Sequence, residues 1–309
     1  MTARVPDDLT STTTRDKADL TMTAPSPDRT TARSAPSAAG PRPSGKPAYR
    51  ITVARVIRSE WIKLRTLRST WVMLAAVLLT IIGLGAIAAA STTGAVEGPD
   101  DGGGPGGGDA LSTVLAGAGL AVVLVGVLGV LVGAREYSSG MIRSSLSAVP
   151  ARLPVLWAKV VAFVLAVVPV VLVGVFAAFA VGMAVLDAGG APTVSWSDEG
   201  TARVVLGTAG YLVGIGLIGL ALGLLLRSTA GAISALLAGV LVLPTLAGAL
   251  LPESWDGLLK YLPSNAASAF TSTVPPESML GAGTGAAVFI AWIVVALAGA
   301  AVTLTRRDA

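Results

Sequence analysis

The sequence contains neither cysteine nor histidine. Without thiols there is no disulfide framework and no thiolate chemistry. Without imidazole, Ser–His and Cys–His nucleophilic systems are excluded, together with every His-ligated metal site. Charge is scarce too: 13% of the 309 residues are Asp, Glu, Lys or Arg, and aromatic residues reach only 5%. A soluble domain carries about 25% charged residues, so the deficit must lie in segments that never meet water. Apolar residues are in excess, at 53% of the chain with a mean hydropathy of +0.75.

Residues 1–48 are rich in Ser, Thr, Pro and Ala with scattered charge and hold no useful apolar run. A disordered cytoplasmic tail is expected there, because nothing offsets its ordering entropy. No apolar stretch near the start resembles a secretory leader. Residues 49–309 hold the membrane domain. Six apolar runs, roughly 71–90, 111–132, 160–186, 204–226, 230–251 and 282–304, approach or exceed the ~20 residues that cross about 30 Å of hydrocarbon. None carries an ionised side chain in its middle. Soluble helices of such length keep a polar face. The expected fold is an all-α integral membrane protein with six transmembrane helices.

Orientation follows from the basic residues near the span ends. From Arg50 onward, Arg50, Arg55, Arg58, Lys63, Arg65, Arg68, Arg135, Arg143, Arg152, Lys159, Arg227, Arg306 and Arg307 fall on one side, against Arg203 and Lys260 on the other. That ratio of thirteen to two predicts that both termini are cytoplasmic. The opposite segments are acidic, with Glu97, Asp100, Asp101, Asp109, Asp198, Glu199, Glu253, Asp256 and Glu277.

Two glycine-bearing stretches are not phosphate sites. The linker EGPDDGGGPGGGD at 97–109 lacks the lysine and the Ser/Thr of a phosphate cradle and reads as a flexible outer linker. GPRPSGKP at 40–47 places Pro47 where a P-loop needs its hydroxyl, and no strand precedes it. The chain is therefore expected not to hydrolyse ATP. Residues 252–281, with Trp255, Leu258, Leu259, Tyr261 and Leu262, are too apolar for a solvated loop, so short interfacial or re-entrant helices are expected.

Three features point towards function. In Val53–Arg68, Val53, Ile57, Trp61 and Leu64 fall on one side at about 100° per residue, while Arg55, Arg58, Lys63 and Arg65 fall elsewhere. This pattern predicts a basic amphipathic helix lying in the membrane surface ahead of the first span, against the plainer reading of a basic flank that sets topology. In Ala134–Lys159, Ile142, Leu146 and Val149 repeat at helical spacing between a Ser138 or Ser139 cap and Pro150. That is either a short helix with an apolar face for docking or an ordinary connecting loop. In the fourth span Gly207, Gly210 and Gly214 lie within about 60° of one another, with Gly216, Gly219 and Gly223 opposite. Two small-residue faces predict a helix packed between neighbours. Pro169 and Pro244 are expected to kink the third and fifth spans.

In this order the residues resemble the permease subunit of a type-2 ATP-binding-cassette exporter of the actinobacterial kind. The resemblance covers about residues 50–305. It rests on RSEWIKLRTLRSTW at 58–71, on Glu136, Gly140, Leu146, Pro150, Arg152 and Lys159, on the turn Arg227–Ser228–Thr229, and on Tyr261–Leu262–Pro263 followed by Asn265–Ala266. The tail and the glycine-rich linker have no counterpart. The resemblance implies a plasma-membrane half-transporter that pairs with a second permease copy, the same chain or a paralogue. It implies engagement of a separate cytoplasmic ATPase, which would bind the ATP and magnesium, so that this chain carries no cofactor or catalytic residue. Ile57, Arg58, Trp61, Leu64 and Arg65 of the surface helix, and Glu136, Ile142, Arg143, Leu146 and Val149 of the inner segment, would be the ATPase contacts. No nucleic-acid partner is expected. An ion-coupled secondary transporter is the alternative, although such proteins place charge near the midplane and the spans hold none. An intramembrane protease would need Ser–His or paired Asp within the spans, and neither is present. A non-transporting membrane partner, such as an immunity or assembly protein, also stays open.

Overall fold

The computed structural model describes residues 52–96, 109–138, 153–273 and 280–306, and among these every regular element is helical. The tail, most of the glycine-rich linker, and Ile142, Arg143, Leu146 and Val149 lie outside the described residues. The helices are α1 (Val53–Thr66), α2 (Arg68–Thr92), α3 (Ala110–Val114), α4 (Ala118–Ser138), α5 (Leu153–Ala188), α6 (Thr201–Leu226), α7 (Thr229–Leu237), α8 (Leu243–Leu250), α9 (Asp256–Leu259), α10 (Pro263–Thr271) and α11 (Ala282–Arg306). A π turn, Ala238–Val242, joins α7 to α8, and a 3-10 turn, Glu253–Trp255, precedes α9.

Six of these stretches are long and apolar enough to cross a membrane: α2, Ala118–Arg135 of α4, α5, α6, Thr229–Leu250 taken through the π turn, and α11. The architecture is that of a multi-pass membrane protein. α6 lies at the centre, packed on α4, α5, α10 and α11, while α2 packs on α4 and α5.

The second apolar run, expected as one helix over 111–132, is broken. Asp109 caps the short α3 by accepting from the Ser112 amide at 3.1 Å, and α4 starts only at Ala118. The cause is close packing. A β-carbon on Gly85 of α2 would strike the Val114 carbonyl, and one on Gly182 of α5 would strike the Val114 side chain. These glycines open a slot that holds α3, with Leu111 and Val114 fully buried. Gly117, in the turn between α3 and α4, sits so close to Thr80 and Ile81 of α2 that no side chain fits.

The third run is longer than the expected 160–186. α5 has 36 residues, roughly 54 Å at 1.5 Å per residue, well beyond the ~30 Å hydrocarbon layer. Pro169 lies inside it without ending it. The segment after the fifth span folds as short helices, and α10 buries Ala266, Ala267, Ala269 and Phe270.

Candidate functional site

The site lies where α1 meets the overhanging start of α5. At Leu67 the backbone is extended, which ends α1 and starts α2. The Trp71 indole donates to the Arg65 carbonyl at 2.9 Å, and so satisfies one of the orphan acceptors at the end of α1. This bond ties the elbow between the two helices. Val56 and Ile57 of α1 pack on Val155 and Ala158 of α5.

The side of α1 packed on the bundle is only partly the apolar side read from the sequence. Val56, Glu60 and Leu64 are buried, Ile57 and Trp61 only half-buried, and Val53, Arg58 and Arg65 exposed. The anchor of the packed side is polar. Lys159 Nζ donates to Glu60 Oε2 at 2.8 Å, and Lys63 Nζ to Glu60 Oε1 at 2.6 Å. The Glu60 and Lys159 side chains are 7% and 3% exposed, against 40% for Lys63. Each carboxylate oxygen thus holds one ammonium, and the inner pair joins helices 99 residues apart in sequence. Desolvating two charges offsets most of their attraction, so the pair adds little net stability. What it provides is register, because either charge alone in that place is strongly disfavoured.

Sequence reasoning passed over Glu60. At 100° per residue it falls between Val56 and Val53, beside Leu64, and an acid flanked by apolar residues on that side of the helix is the signal that could have found it. Lys159 stood in the resemblance without a role.

Beside this pair a cavity of about 680 Å³ opens between α1, α2, α4 and the starts of α5 and α7. Its charged lining is Glu60, Lys63, Arg135 and Lys159, and its apolar wall includes Leu64, Leu67, Met73, Leu128, Leu131 and Val132. Glu136 lies in the last turn of α4.

The fourth-span glycines, away from this cavity, face different neighbours. A β-carbon on Gly207 would meet Phe270 of α10, and one on Gly214 would meet Phe289 of α11. On Gly216 it would meet Phe163 and Val125, and on Gly219 and Gly223 the backbone of α4 at Gly126 and Val130. Gly210 has open space around it. At the end of the bundle opposite α1, Arg203 donates to the Ala269 and Thr273 carbonyls at 3.1 and 3.3 Å. There Asp109 also accepts from Thr273 Oγ1, and Trp196 rests on Phe176 and Phe179 of α5.

No family model matches the chain, and no curated protein matches its sequence.

Proposed function

We propose that this chain is the membrane-spanning permease subunit of an ATP-binding-cassette exporter in the plasma membrane, driven by ATP hydrolysed on a separate cytoplasmic subunit. In this reading the end of the bundle bearing α1, Arg135, Lys159 and Arg227 faces the cytoplasm, as the basic asymmetry favours. α1 lies at the membrane surface with Arg58 and Arg65 turned outward.

The observation that carries the reading is the Glu60–Lys159 pair. A helix that only set topology would need no buried tie. α1 is instead bonded to α5 just after the 139–152 segment, whose sequence resembles the ATPase-docking region of such permeases. A push on that segment would reach α5 and α1 together, and through the Trp71 tie it would reach α2. The second copy would sit against the fifth span and α11, whose Leu241, Val242, Leu246, Val294 and Val295 are exposed on this chain.

The test is co-purification of an ATPase subunit with the wild-type chain and with Leu146→Asp. Burying a leucine contributes about 1.5–3 kcal/mol, so the substitution should remove most of the recovered ATPase while membrane insertion stays normal. Equal recovery with both chains would sink the docking role.

A further inference from the structure

The turn between α9 and α10 lies deeper than a surface loop. The Trp292 indole donates to the Tyr261 carbonyl at 2.8 Å, and Ser264 is bonded to the Val240 carbonyl and the Tyr211 hydroxyl. Tyr211 of α6, Val240 of Thr229–Leu250 and Trp292 of α11 each stand ten residues from the end of their span on the Arg203 side. That is about 15 Å into the bundle at 1.5 Å per residue. The chain descends from that side after Leu250. It returns there along α10, whose far end Arg203 holds by the Ala269 and Thr273 carbonyls. The segment is therefore re-entrant, with the turn Lys260–Leu262 near mid-depth.

Two features of this turn do not fit hydrocarbon. Its backbone has left helical geometry, yet Tyr261 is 45% exposed and Lys260 and Leu262 are only half-buried. Non-helical backbone at membrane depth persists only where protein covers it or where it lines water, and the exposure here leaves water. Lys260 adds an ammonium, its Nζ 5.6 Å from the centre of the Tyr261 ring. An ionised side chain at such depth faces the bundle interior or a water-filled space, not lipid. A carboxylate beside it would not change this, since desolvating two charges costs more than desolvating one.

We infer that a water-filled inlet runs from the Arg203 end of the bundle down to the turn at Lys260, and that the Lys260 ammonium keeps its floor wet. The inlet brings water and small hydrophilic solutes to mid-depth from that face. It requires only that the six stretches span a bilayer. Neither an ATPase nor a cargo enters its test, so it stands or falls apart from the permease reading.

The chain has no cysteine, so single cysteines report water access without background. The full chain carries Tyr261→Cys, Ser197→Cys or Val294→Cys, the last on an exposed α11 residue two positions beyond Trp292. Intact cells and inverted membrane vesicles are treated with 2-sulfonatoethyl methanethiosulfonate, which does not cross membranes. Ser197→Cys shows which side of the membrane the Arg203 end occupies, so a reversed orientation is read separately from the inlet. From that side Tyr261→Cys should react within about tenfold of the Ser197→Cys rate, because its thiol ionises in water. Val294→Cys should react at least about a hundredfold more slowly, because apolar surroundings hold a thiol neutral. Leu262→Cys is a second probe of the turn and should also react at the faster rate. Lys260→Leu should slow modification of Tyr261→Cys by about tenfold, since the charge that demands water is gone. Turn cysteines as slow as Val294→Cys would overturn the inlet, whether lipid or a second chain covers them. So would reaction from the opposite side alone. An unchanged rate in the Lys260→Leu background would overturn the role given to Lys260.

Discussion

The carbonyl of Val240 accepts a hydrogen bond from Ser264 Oγ at 2.9 Å, and Val240 lies four residues before Pro244. In an α-helix that carbonyl would be paired by the amide of residue 244, which proline lacks. The fifth span answers twice: it opens into the π turn Ala238–Val242, and it borrows a hydroxyl from the N-terminus of α10. Ser264 also accepts from the Tyr211 hydroxyl of α6 at 3.5 Å. The broken helix is thereby tied to the centre of the bundle.

Ser264→Ala should lower the thermal midpoint, because leaving a buried carbonyl short of a partner costs about 1–3 kcal/mol. Pro244→Ala restores the missing amide. In the double variant the loss should be smaller than the sum of the two single losses. Additive losses would show that the hydroxyl does not serve the proline site.

For the pair at α1, Lys159→Met alone or Glu60→Leu alone should destabilise the chain by about 3–5 kcal/mol, as expected when one buried charge loses its partner. The double substitution should recover most of that loss, since a well-packed apolar pair replaces two desolvated charges. Thermal denaturation of the four chains in one detergent decides the matter. A double variant as unstable as the worse single one would mean that the site needs its charges for more than their mutual pairing.

Glycine substitutions should divide by what lies opposite them. Gly219→Ala places a methyl group against the Gly126 carbonyl oxygen. Backbone cannot step aside as a side chain can, so folded yield should fall sharply. Gly210→Ala meets nothing and should fold as well as the wild type, helped by alanine's better helix propensity of about 1 kcal/mol. Yield of monodisperse protein after detergent extraction reads both.

Topology follows from the distribution of basic residues. Reporter fusions at Asp101, Trp196 and Ser272 should report the outer side, and fusions at Ser145 and Ala309 the inner side. An inner signal at Asp101 or Ser272 would reverse the proposed orientation.

The sequence by itself determined the number of membrane-length helices, because a run of about 20 apolar residues without charge is stable only as a helix in hydrocarbon. It also determined that α1 exists, since its apolar residues recur at helical spacing, and that Pro244 disturbs the fifth span. Tertiary contacts decided the rest. The second run breaks at Gly117 because α2 and α5 leave a slot for α3, and the glycines that shape the slot lie on other helices. The fourth-span glycines look alike along the chain, yet Gly219 touches backbone and Gly210 touches nothing, because contact depends on where neighbouring helices cross. α1 turns Glu60 inward because its partner is Lys159, 99 residues away. Periodicity along one helix carries no information about a charge supplied by another.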